Sequence, residues 1–190
     1  MQKKNNRLIL LFSIAIVLGL LFAFRLHLDA PYQDFHAFKI STNSMSPIFI
    51  QGDLVLVSKR AYRKSSPQRG DIIAIDTSGL PVPVPGAFYL ERIVALPGES
   101  LSIRSGKIFI DGKELTAPSC FRELTYLPVP TTQLPLTENE PFQVPQGCYF
   151  VMEDNSTYSN DSRHWGPILK NNIVGRAFAI YFPFKRSRIL

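Results

Sequence analysis

Cysteine, histidine and charge are all scarce in this chain. Of 190 residues only two are cysteine (Cys120 and Cys148), three are histidine and one is tryptophan. Two cysteines are too few for a disulfide-stapled scaffold, and no Cys/His cluster has metal-ligand spacing, so neither a zinc site nor another metal is expected. The two thiols can pair if the domain sits outside the cytoplasm, or stay free. Charged residues make up 19% of the chain, below the usual quarter. No nucleic-acid motif and no internal repeat is present. The net charge of +6 comes with basic residues at both ends (Lys3, Lys4, Arg7 and Lys185, Arg186, Arg188), a distribution that suits an anionic lipid surface better than nucleic acid. Long helices are also disfavoured, because fifteen prolines interrupt the chain.

One long hydrophobic run is present. Leu8 to Phe24 carries no charge, and Leu26 and Leu28 extend it past Arg25. A helix from Leu8 to Leu28 rises about 30 Å at ~1.5 Å per residue, enough to cross the hydrocarbon core. A cleavable signal peptide has a shorter apolar core ending in small residues, whereas large residues (Phe22, Phe24, Leu26) stand here, so a retained anchor is expected. Three basic residues precede the span, which puts the N-terminus in the cytoplasm and the bulk of the chain outside, single-pass in the cell (inner) membrane. The expected organisation is a tail and anchor over 1–28, a connector over 29–38, and an extracytoplasmic domain over 39–190, with a Pro-, Thr- and Leu-rich cap or insertion at about 113–146.

Beyond the anchor the patterns are those of strands. Leu54–Val57, Ile72–Ile75, Arg92–Ala95 and Ala177–Phe182 are short β-rich runs bounded by Gly, Pro or Asp. Gly52-Asp53 and Gly70-Asp71 mark turns before strands. Ser102–Arg104 and Lys107–Ile110, joined by Ser105-Gly106, read as a hairpin. The fold class expected is mostly β: a sheet-rich, barrel-like domain with a small loop-rich cap, following one transmembrane helix.

Chemistry concentrates in five ordered blocks. Thr42-Asn43-Ser44-Met45-Ser46-Pro47 sets two hydroxyls two residues apart, shortly after the anchor. Gly52–Val57, Arg69–Ile73 and Arg92–Glu99 follow, each an ordinary turn-and-strand pattern alone. Glu153–Pro167 packs Asp154, Asn155, Ser159, Asp161, Ser162 and Arg163 into ten residues, a density that suits a hydrogen-bonded wall. A serine nucleophile needs a base and stabilisation of the oxyanion it creates. The Ser44 backbone N–H and the Thr42 hydroxyl are candidate oxyanion donors. A polar turn is the simpler account of Thr42 and Ser44 taken alone, and loop-bracing ion pairs are the simpler account of Asp154, Asp161 and Arg163.

In order and spacing this set resembles the type I signal peptidases, membrane-anchored Ser–Lys endopeptidases that remove signal peptides, from about Ile40 to Phe182. The resemblance implies that Ser44 is the nucleophile, Thr42 (in place of the more usual Ser) an oxyanion donor, Ser159 the hydroxyl that orients the base, and Asp154, Asp161 and Arg163 a structural wall. It implies exported preproteins with signal peptides as partners, bound as an extended strand, together with membrane lipid, and no cofactor. Two positions depart from the pattern. Glu153 stands where a glycine usually precedes Asp154, and Glu91 stands where the lysine base is expected. Three readings of Glu91 are open. It is itself the base; a lysine from elsewhere (Lys39, Lys59, Lys64 or Lys107) reaches Ser44; or catalysis is lost and the chain is a binding or assembly scaffold for secreted or pilin-like proteins. A cytosolic self-cleaving repressor, another Ser–Lys class, fits poorly with the Leu8–Phe24 run and the absence of a DNA-binding helix pair.

Overall fold

The computed structural model describes residues 16–19, 34–127, 134 and 136–190. The chain divides into two compact units, Met1–Phe35 and His36–Leu190. Residues 16–19 are helical. The rest of the expected Leu8–Leu28 span lies outside the described residues, and among the described residues no helix is long and apolar enough to cross a membrane.

The second unit is built on two antiparallel sheets. In chain order its strands are β1 (Phe35–Lys39), β2 (Leu54–Ser58), β3 (Ile72–Asp76), β4 (Phe88–Ala95), β5 (Ser100–Arg104), β6 (Lys107–Ile110), β7 (Lys113–Glu114), β8 (Phe142–Gln143), β9 (Cys148–Met152), β10 (Ile168–Leu169), β11 (Ile173–Phe182) and β12 (Arg188–Ile189). The larger sheet runs β1-β2-β11-β3-β4-β9-β10, with β12 pairing to β11, and the smaller runs β7-β6-β5-β8. The larger sheet begins at β1 and ends at β10, so among the described residues it is open and not the barrel-like closure expected from the many short strands. The two-residue strands β10 and β12 are too short to carry the sheet round on itself.

Side-chain alternation explains the layering. Ile72 and Ala74 of β3 enter one apolar cluster with Val55, Val57, Ala177 and Ile180, while Ile73 and Ile75 enter another with Ile93, Tyr149, Val151 and Ile168. A strand buried on both faces reads as a continuous apolar run, which is how Ile72–Ile75 appears. A third cluster joins the two sheets, with Val94, Phe150 and Met152 from the larger meeting Leu101, Ile108 and Ile110 from the smaller. Cys120 and Cys148 are both free thiols packed against this cluster.

The turn blocks hold the sheets in register. Ser105 (φ 47°) and Gly106 (φ 78°) form the two left-handed positions of a tight hairpin turn between β5 and β6. Gly98 (φ 83°) turns the chain from β4 to β5, and Glu99 caps that turn by accepting from Leu96 N at 2.7 Å while pairing with Arg69. Arg69 also donates to Val94 O at 2.7 Å, so the Arg69-Gly70-Asp71 and Leu96–Glu99 blocks are spatial neighbours.

The segment read as the end of the connector is strand β1. Its exposure alternates, and His36 and Phe38 pack edge-on, with Phe38 also meeting Phe88 at 5.5 Å between ring centroids. A half-exposed edge strand of this kind has no continuous apolar run to mark it in the sequence.

Candidate active site

Ser44 sits in a loop that the core pins from beneath. Its neighbour Met45 is 3% exposed and Phe49 fully buried, both in the cluster under β2 and β11. Backbone bonds close the loop: Phe49 N donates to Met45 O (3.0 Å), Ser46 N to Asn43 O (3.0 Å) and Gly52 N to Ile40 O (2.9 Å). The Asn43 side chain accepts from Gln51 N at 2.9 Å. The distant block is stitched to the same loop, since Asn155 N donates to Ser44 O at 2.8 Å and Asn155 Nδ2 to Asn43 O at 3.1 Å. Burying Met45 thus leaves Ser44 half-buried and facing outward.

It faces a groove of about 850 Å³. One wall is Phe38–Met45 and the other is Ala87–Leu90 with Val84; Glu153 and Asn160 also line it. On both walls backbone is available. β1 ends the sheet, and the Phe88–Glu91 half of β4 is paired only to β3, because β9 pairs to β4 at Arg92, Ile93 and Ala95.

Thr42 Oγ1 donates to Ser44 Oγ at 3.1 Å, and the Glu153 carboxyl lies near enough for the Ser44 hydroxyl to pull its pKa down. A carboxyl thus stands beside the two hydroxyls. The Glu153 carboxyl also accepts from Asn160 N at 2.8 Å. Its burial pushes its pKa up, the hydrogen bonds from Ser44 and Asn160 pull against that, and nearby Asp161 adds to the rise while Arg163 opposes it.

Glu91 is completely buried, and neither carboxyl oxygen has a hydrogen-bond partner among the described residues. Arg92 opposes Met152, the last residue of β9, so Glu91 and Glu153 are the two residues that come next, just past the end of the β4–β9 pairing. Two carboxyls brought near each other repel when both are charged. Burial first, then repulsion from Glu153, Asp161 and Asp154, raises the Glu91 pKa well above the ordinary range, with Arg163 opposing. Both effects favour the protonated, neutral form of Glu91.

The remaining predicted residues form the wall around this pair. Asp161 caps the short helix Ser162–Trp165, accepts from Arg163 N (3.0 Å) and Glu153 N (3.1 Å), and pairs with Arg163 through Nε (2.9 Å) and Nη2 (2.7 Å). Asp154 takes both ends of the Arg92 guanidinium at 2.7 and 2.6 Å. Ser159 accepts from Arg163 Nη2 and donates to Ser156 O at 3.3 Å; no described hydrogen bond joins it to Ser44, Glu91 or Glu153. Of the lysines considered, Lys107 is held on the smaller sheet by Arg122 O (3.0 Å), Lys59 lines a different cavity, and Lys39 lines the groove but is exposed. The residue the sequence reading left without a chemical role is Glu153. Its signal was there as the acidic residue standing at a glycine position.

A sheet protein that holds a serine, backed by a second hydroxyl, between two available strand edges has the architecture of a peptide-processing serine hydrolase. The family model for signal peptidase, peptidase S26, matches residues 7–182, and the chain belongs to that family. It is 35% identical over 153 residues to the probable signal peptidase I-1 of Synechocystis sp., covering 77% of this chain and 71% of that protein. It is 29% identical over 188 residues to signal peptidase I U of Bacillus subtilis, covering 98% and 94%. A crystal structure of a signal peptidase I from Enterococcus faecalis aligns with a TM-score of 0.44 at 30% identity, over 59% of this chain and 97% of that one. The family is one of serine endopeptidases. The family match and the two relatives support signal peptide processing and lend nothing to the scaffold alternative.

Proposed function

We propose that the protein is an active signal peptidase of the serine type, cutting exported preproteins at the outer face of the cell membrane, with Ser44 as nucleophile. The observation that carries this reading is the hydrogen-bonded Thr42–Ser44 pair sharing one groove with the Glu153 carboxyl. A precursor segment adds as an extended strand along the edges offered by β1 and the first half of β4, which supplies main-chain hydrogen bonds whatever the side chains. Ser44 Oγ attacks the scissile carbonyl. The Ser44 N–H and the Thr42 hydroxyl, which turns from Ser44 Oγ toward the new oxyanion, stabilise the tetrahedral intermediate. Asp154, Asp161 and Arg163 brace the wall without exchanging protons, since their charges are spent on the Arg92–Asp154 and Arg163–Asp161 pairs. Ser159, engaged by Arg163, helps fix that wall. The Leu8–Leu28 segment serves as the anchor that keeps the site beside the membrane, with the basic N-terminus in the cytoplasm.

The test is cleavage of a preprotein by the detergent-solubilised chain beside its Ser44→Ala variant. Cleavage at one site by the former, and background only by the latter, is expected. Equal traces from both would sink the peptidase reading. Thr42→Val, which keeps the shape and removes the hydroxyl, is expected to lower kcat by about 10²-fold or more with little change in KM, the mark of a donor used in the transition state.

A further inference from the structure

Resting on that reading, we infer that Glu153 is the general base of this enzyme and that Glu91, at the position of the family lysine, takes no part in proton transfer. A lysine base and a glycine at these two places have been exchanged, in effect, for a neutral acid and a carboxylate, and the proton-accepting role has moved across the sheet from one strand to the other.

The geometry separates the two carboxyls. Glu153 lines the groove together with Ser44, near enough for the Ser44 hydroxyl to act on its carboxyl, while Glu91 lies wholly beneath the surface and off the groove. Glu153 is oriented independently of Ser44 by the Asn160 N–H, the type of second anchor that holds a base in one direction. Its backbone is fixed as well, since Glu153 N donates to Asp161. Charge balance agrees. Of the acidic groups gathered here, Asp154 is neutralised by Arg92 and Asp161 by Arg163. Glu91 and Glu153 lie near each other with no cation of their own, and two neighbouring buried carboxyls do not both ionise. Glu153 accepts the Asn160 N–H bond that favours its charged form, whereas the Glu91 oxygens have no hydrogen-bond partner among the described residues, so of the two Glu153 is the one suited to hold the charge. A carboxyl at position 91 leaves Glu153 free to take a proton, where an ammonium at the same place would pair with it and weaken it as a base.

The step balances without a co-reactant. The Ser44 Oγ proton passes to a Glu153 carboxylate oxygen as the Oγ–C bond forms. The neutral Glu153 acid then returns that proton to the leaving amine nitrogen as the C–N bond breaks, leaving an ester on Ser44. Water loses a proton to Glu153 as it attacks the ester, and Ser44 recovers the proton when the ester bond breaks.

The experiment is single-turnover cleavage of a preprotein by the full-length detergent-solubilised chain across pH 5–9, comparing wild type with Ser44→Ala, Glu153→Gln, Glu153→Asp, Glu91→Gln and Lys39→Gln, with thermal melts as the folding control. Expected are a loss of about 10²-fold or more for Glu153→Gln, near-wild-type cleavage for Glu91→Gln, and a wild-type rate that rises with pH as Glu153 ionises. The charged and titratable groups that act on Glu153 are Glu91 on β4, and Asp161 and Arg163 at the Ser162–Trp165 helix. Because Glu91→Gln removes the one unpaired titratable neighbour, its profile is expected to keep the same limb, while Glu153→Asp, with a shorter carboxylate, keeps residual activity and moves the limb. Ser44-dependent cleavage that survives Glu153→Gln, or that disappears in Glu91→Gln or Lys39→Gln while surviving Glu153→Gln, overturns the assignment and leaves the peptidase reading standing. Wild type no faster than Ser44→Ala overturns both.

Discussion

A buried carboxyl with no partner is tolerated only as the neutral acid, and Glu91 makes that cost measurable. Its folded-state pKa lies above its ordinary value of 4.5 because burial and the carboxyls of Glu153, Asp161 and Asp154 disfavour the charge. In the unfolded chain the group ionises near 4.5, whereas in the folded chain it keeps its proton to higher pH. Above that pH the unfolded state binds fewer protons, so stability falls as pH rises, until the raised folded pKa is passed. Burial raises the pKa of Glu153 too, adding a contribution of the same sign. Glu91→Gln keeps shape and neutrality while removing the titration. The variant is therefore expected to melt close to wild type at pH 4 and progressively above it toward pH 8. A melting difference that does not change with pH would show that Glu91 carries no raised pKa.

At the scale of elements, the site depends on what lies under and beside it. Met45 is the packing residue that holds the Ser44 loop down, and Met45→Ala is expected to cost about 2–5 kcal/mol by urea unfolding. The same change should lower kcat more than it raises KM, because the groove walls stay while the serine loses its fixed place. Met45→Leu, of similar volume, should restore both. The β4–β9 junction depends on the Arg92–Asp154 pair, whose side chains are 8% and 2% exposed. Asp154→Ala strands a buried guanidinium and is expected to cost about 3–5 kcal/mol, while the double change Arg92→Met with Asp154→Leu should recover most of that. These elements also show what a sequence can disclose. Ile72–Ile75 is legible because a strand covered on both faces must be apolar throughout, and Ser105-Gly106 because a tight hairpin needs two left-handed residues. Strand β1 escaped notice because an edge strand alternates weakly. The openness of the sheet escaped because closure is set by which strands pair, not by how many there are. Thr42 and Ser44 are legible as a local motif, but that they share a groove with Glu153 is not, because it depends on how β9 pairs with β4.

At the scale of the whole molecule, we expect folding and location to separate along the chain. Among the described residues all three apolar clusters draw on Phe38 onward, and residues 36–190 form one compact unit. The anchor we propose for Leu8–Leu28 would then add location and leave the packing of that unit alone. A chain comprising residues 34–190 is accordingly expected to melt in a single transition within a few degrees of the full-length protein. It is also expected to cut a soluble peptide spanning a preprotein cleavage site with an unchanged kcat/KM. A preprotein embedded in anionic vesicles should distinguish the two chains. Anchoring confines enzyme and substrate to one surface and raises their effective concentration, so the shortened chain should cut the embedded substrate much more slowly. It retains Lys185 and Arg188 at the C-terminus, each worth about 1 kcal/mol near an anionic surface, while Arg186 is paired with the buried Asp53. Part of the deficit should therefore disappear at low salt and return at high salt, where the full-length chain is little affected. Equal rates on the embedded substrate at every salt concentration would show that the N-terminal segment has no role in presenting the site to the membrane.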